Sequence, residues 1–349
     1  MKTVVLGMLV CMMLTVSARG TDIPRELYDA LPKEAEALVG KDYSAEGFFR
    51  AVTAFPVAIA EKGEEVLKEQ GRGAATMLLV AVFCAALACW ELPALPLAGG
   101  LAVTFLSAGS LEEFLLLGES TISALNTFAK ALLPTLAAAA AASGSVVTAS
   151  MQQVTAMFLV GLLTELIRNV LLPVTYLYIG VLAAGHCLQE PRLGAIAGGM
   201  KRAVTWTLTT SVFLVTLYLS TARVLTGSTD AAAVKLTKSA LSGVVPVVGG
   251  IIADAAETVL AGTAMVKNTV GIFGVLGVLG LCALPCLQLG IQYLLYKAAA
   301  FCSAAMGVEW LSKLIDGLGG AFGLILGMAG SCAVLVLVSV LCFLGAVSG

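Results

Sequence analysis

Asp254, Glu257 and Lys267 are the side chains in this chain with the strongest claim to chemistry. They interrupt sequence that is otherwise soluble in hydrocarbon. Charges at membrane depth cost about 2.5–3.5 kcal/mol each on insertion scales, so each needs a reason to be there. Asp254 and Glu257 are three residues apart, which puts both carboxylates on one face of a helix. A straight helix places Lys267 about 80° round from Glu257 and about 15 Å further along, too far for a direct pair. Pro246 precedes them and removes a backbone donor, and Gly249 and Gly250 let the chain leave helical geometry. Asn268 and Gly271 follow. The functional reading is a broken helix lining a polar path, because freed backbone groups are tolerated at membrane depth only beside protein or a water-filled cavity. The alternative is a membrane re-entry whose charges reach the interface or pair with neighbouring helices.

Glu165 and Arg168 form a second polar knot with Asn169. Their i, i+3 spacing makes them a candidate ion pair; the plainer reading is an interfacial helix end. Glycines recur at helical spacing. Gly271, Gly274, Gly277 and Gly280 repeat every three residues, and Gly319, Gly323 and Gly327 every four. The second series is a small-xxx-small face for tight helix packing, within the chain or between subunits.

Enzyme chemistry of the familiar soluble kinds finds no foothold. There is no P-loop, dinucleotide fingerprint or H-E-x-x-H motif. His186 is the single histidine and falls at an expected helix end, where a structural role is expected. The nine cysteines form no C-x-x-C pattern and lie in or beside apolar runs, as small buried residues do. No enzyme activity, cofactor or metal is expected.

The elements that must position these residues follow from composition. The chain is 59% hydrophobic and 12% charged, against about 25% charged in an average globular protein. Mean hydropathy is +0.98. This is the composition of an all-α polytopic membrane protein, whose abundant Ala and Gly favour close helix packing. A net charge of −2 gives no sign of nucleic-acid binding. Of the 42 charged residues, 19 fall between Arg19 and Arg72.

Three regions result. Residues 1–18 read as a signal peptide, with Lys2 as the basic start and Val16-Ser17-Ala18 as the cleavage site. Residues 19–72 read as an extracytoplasmic polar region of two short helices, the second near 48–68. Residues 73–349 form the polytopic membrane domain. Uncharged runs at 73–90, 92–111, 131–164, 169–189, 203–222, 268–296 and 333–347 predict about seven transmembrane helices, six to eight in range. Some segments must break or re-enter. The run 131–164 would reach about 51 Å as one helix, so Pro134 or Ser143-Gly144-Ser145 should interrupt it. Glu112 to Lys130 should lie at an interface, and Glu190 to Arg202 should be a charged loop. Basic residues at both ends of the span 203–222 leave the positive-inside rule in conflict with itself.

Pro246-Val-Val-Gly249-Gly250, with Asp254, Glu257-Thr258-Val259 and Lys267-Asn268-x-x-Gly271 after it, resembles the signature of the stage III sporulation protein AE family of endospore-forming bacteria. Ala131-Leu-Leu-Pro134 leading to Ala142-Ser-Gly-Ser145, and Ile167-Arg-Asn-Val-Leu-Leu-Pro173, resemble it as well. The resemblance runs from about 131 to 300. It implies a non-enzymatic membrane subunit of a mother-cell sporulation complex, a conduit or secretion-like channel between mother cell and forespore. It implies partners among the other subunits, a forespore membrane protein included, and a place in the mother-cell membrane around the forespore. The alternatives are a stand-alone secondary transporter, with the acidic pair and Lys267 as coupling site, and a membrane scaffold.

Overall fold

The computed structural model describes the backbone of residues 45–88, 90, 94–142, 146–244 and 249–344, and the side chains of 60–88, 90, 94–142, 149–218 and 269–344. The expected signal peptide, the first polar helix, Pro246 and Ser143-Gly144-Ser145 lie outside the described residues. Among those described, every regular element is helical. In chain order they are α1 (Ala45–Ala88), α2 (Leu95–Ala142), α3 (Val146–Leu166), a π turn (Ile167–Leu171), α4 (Leu172–Cys187), α5 (Pro191–Val244), α6 (Gly249–Ala305) and α7 (Glu309–Leu344).

Five described helices are long and apolar enough to cross a membrane: Ala60–Ala88, Leu95–Ala142, Ala149–Cys187, Thr269–Ala305 and Glu309–Leu344. The expected count of about seven covers the whole chain, whereas these five are counted among the described residues, where several expected boundaries fall inside one helix. The polar helix near 48–68 and the run 73–90 are one helix, α1. The run 92–111, the stretch Glu112 to Lys130 and the start of the run 131–164 are all α2, 48 residues and so about 72 Å long. Glu112 and Glu113 sit on its exposed side, while Leu111, Phe114, Leu115 and Gly118 line its buried one. The charges therefore share a helix with the core instead of ending it. The expected span 203–222 runs past the last described side chain on α5.

The interruption expected at Pro134 is absent: Pro134 lies inside α2, as Pro285 lies inside α6. Next to Pro134 the Thr135 hydroxyl donates to Leu132 O at 2.7 Å, adding a local bond where the proline has removed one. Lys201 and Arg202 are not in a loop. α4 turns at residues 188–190, with Gln189 at φ 54°, and α5 begins at Pro191, whose missing N–H costs nothing at a first helical position. The π turn comes just before Pro173. Leu172 N–H bonds Ile167 O, an i to i+5 closure. Pro173 has no N–H to continue the α pattern, and the wider turn absorbs that loss.

Pairs of contacts fix the register. A Cβ on Gly319 would stand 2.9 Å from Tyr296 Cβ, and one on Gly271 would stand 2.2 Å from Leu344 Cδ2. α6 and α7 are thus an antiparallel hairpin, turned at residues 306–308 with Gly307 at φ 83°. Gly274 meets Leu132, and Ser110 Oγ lies 3.3 Å from Tyr296 Oη, so α2 runs antiparallel to α6. Lys201 meets Gly320 and Leu208 meets Gly327, so α5 runs parallel to α7. α6 is the central element, with most of its apolar stretch inside the bundle. Phe114 packs edge-on to Phe322 at 5.4 Å, and Tyr296 tilts on Phe322 at 4.8 Å.

Glycine makes these approaches feasible. A Cβ on Gly277 would lie 2.4 Å from Phe128 Cζ, while Gly290 on the same helix has nothing within 4 Å. Gly277→Ala is therefore expected to cost about 1–3 kcal/mol by overpacking. Gly290→Ala is expected to be neutral or stabilising. Thermal unfolding of both purified variants in detergent checks the contrast, and equal melting temperatures would refute it.

Candidate functional site

The described charges of the inner bundle converge where the α4–α5 hairpin meets the α6–α7 hairpin. Lys297 of α6 and Asp316 of α7 form an ion pair with side chains 31% and 48% exposed. The two are 19 residues apart, but the turn at 306–308 folds them to the same height. The Lys297 ammonium also lies 5.5 Å from the centre of the Tyr293 ring. From the other hairpin comes Lys201 of α5. Its Nζ would be 2.5 Å from a Cβ on Gly320, and Tyr178 Oη would be 3.2 Å from the same point. Tyr178 of α4 is buried and donates to Gly317 O at 2.7 Å. The Lys201 ammonium feels both the Lys297 ammonium and the Asp316 carboxylate. Both cations therefore lie in the field of one carboxylate: Lys297 pairs with it, while Lys201, repelled by Lys297 more than it is attracted by Asp316, makes no ion pair among the described residues.

Each member marks the edge of an uncharged run. Lys297 closes the run 268–296, Asp316 precedes the uncharged residues 317–349, and Lys201 stands two residues before the run 203–222. That signal was present in the sequence. What the sequence did not show is that the three edges meet.

Arg168 lies on the π turn and pairs across helices with Glu119 of α2, 3.1 Å from its carboxylate. The candidate partner Glu165 stays on α3, exposed. The π turn begins between them, so the α-helical i, i+3 geometry that suggested their pairing does not hold there. The register supports the cross-helix pair. Gly100 faces Cys187, and moving 19 residues along each helix of that antiparallel pair arrives at Glu119 and Arg168.

Of the glycine face, Gly319 and Gly323 pack on Tyr296 and Tyr293 of α6, and Gly327 packs on Leu208 of α5. All three contacts are within the chain. His186 ends α4, with Nδ1 2.9 Å from Leu182 O. Gly249 and Gly250 begin α6, and Asp254, Glu257, Lys267 and Asn268 follow on that same helix. Their side chains are outside the described residues. Deeper in the bundle, the Gln152 amide and Gln292 Oε1 are buried with no partner among the described residues.

The shared carboxylate gives an unequal response to substitution. Lys297→Met leaves Asp316 facing Lys201, whereas Asp316→Asn leaves two ammonium groups with no carboxylate. Breaking a partly buried pair costs about 1–3 kcal/mol once solvent access is allowed for. Asp316→Asn is expected to lower the melting temperature in detergent more than Lys297→Met does. The reverse order would refute the sharing.

The family model for stage III sporulation protein AE matches residues 97–347, from the start of α2 past the end of α7. Stage III sporulation protein AE of Bacillus subtilis (strain 168) is 28% identical over 182 residues. That match covers 51% of this chain and 45% of the relative, so the chain spans under half of the curated relative's length. No solved structure matches. With most of its length and nearly all of its described helices inside the family match, this chain belongs to the stage III sporulation protein AE family of membrane proteins.

Proposed function

We propose that the chain is a non-enzymatic, multi-pass subunit of a mother-cell sporulation complex that forms a conduit or secretion-like channel to the forespore. The observation that carries this reading is the family match over residues 97–347. In this reading the protein sits in the mother-cell membrane around the forespore, its N-terminal region is extracytoplasmic, and it meets other subunits, including a forespore membrane protein. Asp254, Glu257 and Lys267 line a polar path there, with Pro246 and Gly249-Gly250 as the helix break. Charged residues on an apolar helix favour that role, because an intramembrane ionisable group is by default a functional candidate. The buried amides of Gln152 and Gln292 add polar groups inside the same bundle.

The test is replacement of the gene, in an endospore-forming host that carries it, by Asp254→Asn, Glu257→Gln or Lys267→Met. Spore yield and protein level are scored together. Lost spores with normal protein are the expected result. Normal spores from all three would overturn the polar path. Loss of the protein itself would favour a scaffold, and solute flux driven by the purified protein alone would favour a stand-alone transporter.

A further inference from the structure

We propose that Lys201 and Lys297 form a binding site for the phosphate of an anionic phospholipid headgroup, at the membrane surface nearest the two hairpin turns. This goes beyond the conduit reading and stands whether or not the chain lines a path.

The first argument is charge. Lys201 and Lys297 face one carboxylate, Asp316, which is already engaged by Lys297. The neighbouring groups do not cancel the excess. Arg202 follows Lys201 on α5, and Lys313 lies one turn from Asp316, 3.6 Å from Glu309. These six residues carry four positive and two negative charges, so the patch is net positive. An ammonium at the edge of a hydrocarbon layer is stabilised by an anion, and phosphate oxygens accept charge-assisted hydrogen bonds from it. Basic pockets between transmembrane helices are general sites for such headgroups.

The second argument is shape. Gly320 leaves the space that the Lys201 ammonium occupies, since a Cβ there would stand 2.5 Å from Nζ and 3.2 Å from Tyr178 Oη. The ammonium is thereby held in a groove between helices instead of extending freely. The site is open, because the Lys297 and Asp316 side chains are 31% and 48% exposed.

The third argument is depth, and it selects a lipid over a free anion or a partner's carboxylate. Lys297, Asp316 and Lys201 all stand at the ends of uncharged runs. At 1.5 Å per residue, Lys297 is about 12 Å from the end of α6, and Lys201 is about 15 Å from the start of α5. Trp206, with its ring exposed, lies five residues beyond Lys201 towards the apolar part. Tryptophans mark the level of lipid headgroups in membrane proteins.

The test uses the full chain purified in neutral detergent, with thermal unfolding read after addition of phosphatidylglycerol, phosphatidylcholine or inorganic phosphate. Phosphatidylglycerol is expected to raise the melting temperature, and the other two are not. Lys201→Met is expected to lose that gain, and Lys201→Arg to keep it. Native mass spectrometry is expected to show retention of phosphatidylglycerol weakened about tenfold in Lys201→Met, the loss of roughly one charge-assisted hydrogen bond. If Lys201→Met yields no folded protein, Gly320→Ala, whose methyl displaces the ammonium, takes its place. An equal gain with phosphatidylcholine, an equal gain with inorganic phosphate, or a gain that survives both variants would overturn the proposal.

Discussion

Close approach of helices at glycine is the constraint on which the bundle depends. In hydrocarbon, burying a leucine against another helix gains little, because lipid tails are as apolar as leucine. Association must then come from fit. Gly271, Gly274 and Gly277 on one side of α6 receive Leu344, Leu132 and Phe128, and Gly319 and Gly323 of α7 receive Tyr296 and Tyr293. These contacts tie α2, α6 and α7 into one core, and the register they set decides which polar groups come together.

That register brings Tyr296 to Ser110, Tyr178 to Gly317, and Lys201 to the ion pair of Lys297 with Asp316. The site is thus a consequence of packing. A hairpin turn one residue longer would rotate Asp316 by about 100° relative to Lys297, since each helical residue turns by that amount. Gly307, with its positive φ, sets the length of that turn, and glycine adopts such a conformation without the strain a Cβ would bring.

The charged groups also divide the bundle along its axis. Lys201, Lys297 and Asp316 lie towards the two hairpin turns, and the Glu119–Arg168 pair lies further along α2. Between and beyond them α6 and α7 are uncharged, from 269 to 296 and from 317 to 344. A membrane protein built in this way has a firm apolar centre, and it presents its charge at edges and on outer helices.

The sequence by itself determined the class, the family and the places where charge enters the apolar chain. It did so because hydropathy, glycine spacing and the Pro246 to Gly271 pattern are local properties of the residues. It located glycines that the structure finds in close contact, Gly319 against Tyr296 and Gly323 against Tyr293. It does not locate the helix ends, because neither a charge nor a proline by itself stops a helix whose buried face continues. Glu112, Lys130, Pro134 and Lys201 all lie within helices whose buried faces continue past them. Only the tertiary structure decided that Arg168 pairs with Glu119 and not with Glu165, and that Lys201 joins Lys297 and Asp316. Those pairings depend on a π turn and on helix registers, which are set by contacts between residues far apart in the chain.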